Sequence, residues 1–133
     1  MAEKRKFESR FNGWKTVQQG IACKHKAIEF RRAGAIPYDL FNERIGGEKA
    51  VDVKLACDLL ELRENYVVAI IVSGDQAYVP AIQILKDKGK QVVNVAFQRR
   101  NGELLPGGAR WLNEVCDESI QVSYGDLRKH MCL

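Results

Sequence analysis

Residues 67–72, Val-Val-Ala-Ile-Ile-Val, form an unbroken apolar and largely β-branched run, and Ser73, Gly74 and Asp75 follow it at once. A short segment apolar at every position and closed off by glycine and polar residues reads as a fully buried strand of a parallel sheet. In such sheets ligands gather at the carboxyl ends of the strands, which puts Asp75 where chemistry is usually done. Gly74 permits the tight turn out of the strand, and Pro80 suits the first turn of the helix that follows, where a missing N–H does no harm. Asp75 is equally suited to capping that helix. Both roles remain open at this point.

The flanking sequence repeats the same alternation of elements. Upstream, residues 48–62 make a strong helical pattern, with Val51, Leu55, Leu59 and Leu62 on one stripe and Ala56 and Leu60 beside it. Downstream, residues 76–88 form a helix that buries Val79, Ile82 and Leu85, and Gly89 ends it. Residues 91–97 are the next strand, 98–108 a polar loop, and a helix carries Trp111, Leu112 and Val115. A short strand over 119–124 and a last helical turn from Asp126 complete the chain. Strands separated by single helices give parallel β-α-β units and a layered α/β domain. No repeat, low-complexity segment or linker divides residues 1–133, so one domain is expected.

The first third differs in character. Residues 3–19 read as an amphipathic helix with Phe7, Phe11, Trp14 and Ile21 at helical spacing, stopped by Gly20. Its aromatic stripe has the spacing of a packing face rather than of a base-stacking platform, which needs exposed rings. Residues 26–33 read as a strand, with Ile28 and Phe30 alternating against Glu29 and Arg31, and 34–47 as loop. Residues 1–44 hold ten Lys/Arg against five Asp/Glu, and residues 45–133 eleven against twelve. All of the net charge of +4 therefore lies in the first third. That asymmetry suits a polyanion as well as it suits a solvated charged face.

Several classes are excluded. No apolar run is long enough to span a membrane, and the amino terminus is charged rather than signal-like. Cys23, Cys57, Cys116 and Cys132 form no C-x-x-C pair, and with only His25 and His130 beside them they make no zinc pattern. Reduced thiols in a cytoplasmic protein are the expectation. Gly107-Gly108 before a helix offers backbone N–H groups to a phosphate, but a lone pair of this kind is more often plain loop.

The helix over 48–62 carries two acids, Asp52 and Asp58. At 100° per residue they stand about 120° apart, so they share no tight face. Asp52, near the helix start, can reach the carboxyl edge where Asp75 stands, and also suits the positive end of the helix dipole. Carboxylates meeting in a shallow cleft make a site for Mg²⁺ or Mn²⁺, hard cations that take oxygen ligands and bridge to phosphates. If Asp52 and Asp75 share one hydrated ion, their carboxylates should lie within ~8 Å of each other.

Three pieces in order carry a resemblance. Residues 49–60, Lys-Ala-Val-Asp-Val-Lys-Leu-Ala-Cys-Asp-Leu-Leu, precede Ser73-Gly74-Asp75-Gln76-Ala77-Tyr78-Val79-Pro80, and Gly89-Lys90-Gln91-Val92 follows. Together they resemble the NYN domain, in the LabA-like branch of the PIN-like ribonuclease superfamily, whose pattern runs K-G-V-D-V-x-L-x-x-D-x-L, S-G-D-S-D-F-x-P, G-K-x-V. The resemblance is close from Lys49 to about Val95, about a third of the chain. It implies a three-layer α/β/α sandwich with a mainly parallel central sheet, and metal-dependent cleavage of RNA by clustered acids. Asp52 and Asp75 match catalytic, metal-binding acids, and Asp58 matches a further metal-binding acid. Lys49 and Ser73 match positions beside the substrate, and Arg31 and Arg32 are candidates for phosphate contact.

Two departures accompany the likeness. Ala77 stands where the pattern has a second acid, with Tyr78 in the place of the aromatic, and the family's opening strand with its Asp is missing. Without that strand, residues 67–72 lose a hydrogen-bonding neighbour, and something is expected to cover the edge. The candidates are an upstream segment of a longer chain, a strand from a second copy, or a rearranged 26–33. A chain that begins late is the favoured account, and homo-oligomerisation stays open. The functional expectation is a ribonuclease-like protein with Mg²⁺ or Mn²⁺ and RNA as partner. The alternative is a non-catalytic RNA-binding or assembly module that keeps the fold.

Overall fold

A computed structural model describes residues 2–39, 41, 44–47, 50–105 and 109–131, with side chains left undescribed at 2–3, 38–39, 44–45 and 109. The chain divides into two compact units, Met1–Lys54 and Leu55–Leu133. The boundary falls inside helix α2, Val51–Glu61.

The carboxyl-terminal unit is built on three parallel strands: β3, Val68–Val72; β4, Gln91–Phe97; and β5, Glu118–Val122. Their order in the sheet is β3-β4-β5, with Val68 opposite Gln91 and Val93 opposite Glu118. Helix α3, Val79–Asp87, connects the first pair, and α4, Ala109–Val115, the second. Right-handed crossovers that step the same way across a sheet put their helices on the same face. Both helices accordingly pack on one side, over Ile71 and Val92. Ile82, Leu85 and Leu112 are fully buried there, and Ala56, Leu59 and Leu60 of α2 close over the cluster. Burying each such aliphatic side chain contributes about 1.5–3 kcal/mol. Asn94, also fully buried, donates from Nδ2 to Asn113 Oδ1 at 2.7 Å and ties β4 to α4.

The α/β class and the parallel sheet flanked by helices are what the sequence pattern requires. The expectation of a fully buried strand at 67–72 is corrected. Ala69 and Ile71 point into the core, whereas Val68, Ile70 and Val72 are 41%, 66% and 61% exposed. Among the described strands β3 pairs on one side only, so it is an edge strand. An apolar run reveals that both faces tolerate burial, and this unit uses one.

Gly89 ends α3 with φ +74°. Its N–H donates to Lys86 O at 2.9 Å, and the Lys90 N–H to Leu85 O at 3.0 Å. These two bonds satisfy the last carbonyls of the helix, and the left-handed conformation is one that glycine adopts without cost. At the amino edge of the sheet, Val92 N donates to Asp117 Oδ2 at 2.8 Å and Asp117 N to Val92 O at 2.9 Å. Lys86 Nζ lies 3.5 Å from Asp117 Oδ1 and donates to Val115 O at 2.8 Å. The final element is longer than the single turn expected: α5 spans Tyr124–Met131.

In the amino-terminal unit, α1 covers Ala2–Lys24 and runs through Gly20, where the sequence suggested a stop. Glycine in an exposed helix interior costs about 1 kcal/mol relative to alanine, too little to end a helix by itself. Residues 26 and 27 form a turn, closed by the Ile28 N–H on His25 O at 3.0 Å, and 28–33 belong to no strand, correcting the strand expected there; no strand among the described residues pairs with them. A small antiparallel hairpin, β1 at Tyr38–Asp39 and β2 at Arg44–Ile45, occupies part of the expected loop. The aromatic stripe of α1 is not the buried face its spacing suggested. Phe11 is 45% and Trp14 58% exposed, so the stripe shares a face without that face being fully covered.

Candidate functional site

Asp75 lies in the turn that leaves the carboxyl end of β3, with extended backbone (φ −91°, ψ 119°), as the N-cap of a 3-10 turn over Gln76–Tyr78 that leads into α3. Its Oδ1 accepts a hydrogen bond from Ala77 N at 2.9 Å, and its own N–H donates to Ser73 Oγ at 3.0 Å. Of the two roles left open by the sequence, the structure shows the cap. One carboxylate oxygen caps the turn, while Oδ2 makes no hydrogen bond with a described residue and the side chain is exposed. Ser73, half-buried, holds the approach to the turn. The local reason is simple: β3 runs out of apolar residues at Val72, and Ser-Gly-Asp satisfies the exposed backbone of the bend.

The other acids are placed differently. Asp58 is buried in α2, 8% exposed. Asp52 is half-buried in the first turn of α2, within the amino-terminal unit, where an acid favours the helix dipole. Ala50, immediately before α2, has φ +67° and accepts the Lys54 N–H at 3.1 Å. Arg31 and Arg32 sit in the irregular segment after α1, where Arg31 Nε lies 3.0 Å from Glu29 Oε1. Lys49 and the Gly107-Gly108 pair lie outside the described residues. The structure thus brings Ser73 and Asp75 together, and Arg31 and Arg32 together. No group of three or more His, Cys, Asp or Glu that could hold a metal ion gathers among the described residues.

The chemistry of Asp75 suits a divalent cation: an exposed anionic oxygen donor with one oxygen engaged in the cap. The free thiols are no rivals to it. Cys116 is buried, and burial pushes its thiol above the ordinary range, with Asp117 adding to the effect, so it packs rather than reacts. Two polar clusters went unread in the sequence, both structural. One is the Asp117–Lys86 clasp, which has no local signature. The other is the reciprocal cap of α5, where Ser123 Oγ accepts from Asp126 N at 3.1 Å and Asp126 Oδ2 accepts from Ser123 N at 3.0 Å. The spacing Ser-x-x-Asp before a helix would have given that one away.

No helix among the described residues is long and apolar enough to cross a membrane. No curated protein and no solved structure matches the chain. The NYN domain family model matches residues 3–122, a span that takes in both compact units and most of the sequence. With the Ser-Gly-Asp turn at the carboxyl edge of a parallel sheet, this match means that the chain belongs to the NYN domain family.

Proposed function

We propose that the chain is a metal-dependent, ribonuclease-like protein of the LabA-like kind, acting on RNA phosphodiesters in the cytoplasm. Membership of the NYN family supports the coarser part, a PIN-like, nuclease-type role connected with RNA. The observation that carries the finer part is Asp75: a carboxylate at the carboxyl end of β3, fixed through one oxygen by the Ala77 N–H and open at the other. The family pattern implies Asp52, Asp58 and Asp75 as the acids for Mg²⁺ or Mn²⁺, and of these Asp75 is the exposed one. A divalent cation supplies positive charge to offset the phosphodiester under attack. In this reading Asp75 needs no rearrangement to act, because its cap bond already fixes the carboxylate. Ser73 keeps the turn in register, and Arg31, Arg32 and Lys49 neutralise phosphates without reading sequence. The exposed free thiols Cys23 and Cys57 suit a reducing compartment.

One sequence feature favours a second reading, a binding module that keeps the fold without the chemistry: Ala77 stands where the family pattern has an acid. The deciding experiment incubates the purified chain with single-stranded RNA and Mn²⁺, with EDTA as control. Mn²⁺-dependent cleavage supports the first reading. RNA binding with no cleavage at any Mn²⁺ concentration leaves the second.

A further inference from the structure

The amino-terminal unit carries a groove of about 520 Å³ between α1 and the irregular segment that follows it, with Trp14, Lys15, Glu29, Phe30, Arg31 and Arg32 among its walls. Three of its rings stand open to solvent: Phe11, Trp14 and Phe30 are 45%, 58% and 42% exposed. The Arg32 guanidinium sits 5.5 Å from the centroid of the Phe11 ring, and Phe7 stacks on Phe11 with centroids 6.3 Å apart. Of the charged side chains in its walls, Lys15, Arg31 and Arg32 are cationic, and Glu29, paired with Arg31, is anionic. Residues 1–33 hold nine Lys/Arg against three Glu, so the groove lies on the most basic part of a chain whose net charge is only +4.

Open aromatic faces interleaved with cations match one class of ligand on both counts. Bases stack on rings while phosphates meet arginines and lysines, and this needs unpaired bases, since a duplex hides their faces. A second copy of the chain satisfies only the apolar half, because it brings the same positive excess against itself. We propose that this groove is a stacking platform for single-stranded RNA, with Trp14 taking a base face and Lys15 and Arg32 taking phosphates. It deepens, and rests on, the reading that the protein acts on RNA. It also assigns Trp14 a binding role distinct from that of the acids.

The test uses the full chain with Trp111→Phe, so that Trp14 alone reports by fluorescence, titrated with a single-stranded oligouridylate and with an RNA duplex of equal length. Expected are quenching of Trp14 by the single strand, weaker binding of the duplex, and an affinity loss of about 5- to 150-fold on Trp14→Ala, the span of one base–ring stack. Trp14→Phe should retain most of the affinity. Trp14 is exposed, so circular dichroism should be unchanged in both variants. Tight single-strand binding with Trp14 unquenched and Trp14→Ala indifferent overturns the platform while leaving the RNA reading intact. Equal binding of the duplex overturns it in favour of charge alone. A Trp14-dependent dimer in sedimentation that binds no RNA makes the groove a self-assembly face and overturns it as well. Absence of RNA binding and of cleavage in every variant removes the RNA reading itself.

Discussion

Replacing Asp75 by Asn and by Ala separates its capping role from the metal role proposed for it, because the cap uses one oxygen of the carboxylate. Oδ1 accepts from Ala77 N at 2.9 Å, and an Asn side-chain oxygen can accept the same bond. Asn and Asp are near-equal N-caps, so Asp75→Asn should change stability by only a few tenths of a kcal/mol. Alanine has no acceptor and should cost about 1 kcal/mol. For a unit of roughly 80 residues that is a fall of about 4–8 °C in Tm. Activity should follow a different order. Both substitutions remove the negative charge that holds a divalent cation, so both should abolish Mn²⁺-dependent cleavage, the Asn variant in a fold as stable as the parent. Thermal unfolding followed by circular dichroism, beside cleavage of a labelled single-stranded RNA, reads both quantities on the same samples. Cleavage undiminished in Asp75→Asn would refute the metal role and leave Asp75 a cap alone. Equal Tm values for the Asn and Ala variants would refute the cap.

Two further outcomes follow from the same geometry. The Val92 N–H bond, with Lys86 beside it, holds the Asp117 carboxyl below the usual range, and the Ser123 hydroxyl and N–H do the same for Asp126. Groups depressed in the folded state stabilise it above their unfolded pKa of about 4 and lose that contribution as pH falls through the lower folded value. Urea midpoints should therefore be higher at pH 7 than at pH 3, and Asp117→Asn should narrow the gap; an unchanged gap would reject the clasp. Ala50→Gly should stabilise the chain by about 0.5–1 kcal/mol in a urea titration, since relief of a left-handed alanine, worth about 1–2 kcal/mol, exceeds the added entropy cost of glycine. A destabilised glycine variant would show that the backbone before α2 is not left-handed.

Much of the carboxyl-terminal unit was legible because its signals are local. Strand β4 begins and ends where the valines of 91–97 and the flanking Gly89 and Gln98 suggested, and Gly89 closes α3 with the conformation its position implies. Val79, Ile82 and Leu85 are buried as their spacing required. The amino-terminal unit was read less well, since its elements depend on neighbours that sequence cannot supply. Ile28 and Phe30 alternate like a strand, but alternation provides no partner. Phe11 and Trp14 recur like a core stripe, but periodicity says only that they share a face, not that the face is covered. Of the candidate site, the capping role of Asp75 was legible, because Asp at the start of a helical turn has a local signature. The burial of Asp58 was not, because the turn of a helix that meets the core depends on packing outside the helix.

Ala50 joins the sequence pattern to the backbone in a way neither shows alone. The family pattern has glycine between the lysine and the V-D motif, where this chain has Lys49-Ala50-Val51-Asp52. At that position the structure has φ +67°, a conformation open to glycine and costly for alanine. The pattern's glycine is thus explained by the bend that delivers the chain into α2, with the Ala50 carbonyl accepting the first helical bond from Lys54 N. Asp52 follows two residues later, so its place in the first turn is set by that bend. A chain that keeps the bend after losing its glycine holds a strained residue beside a candidate acid. Strain of this kind persists only where the surrounding structure overdetermines it. The feature retained here is therefore the helix start with its acid, which is the feature a metal-binding or a dipole-stabilising Asp52 equally requires.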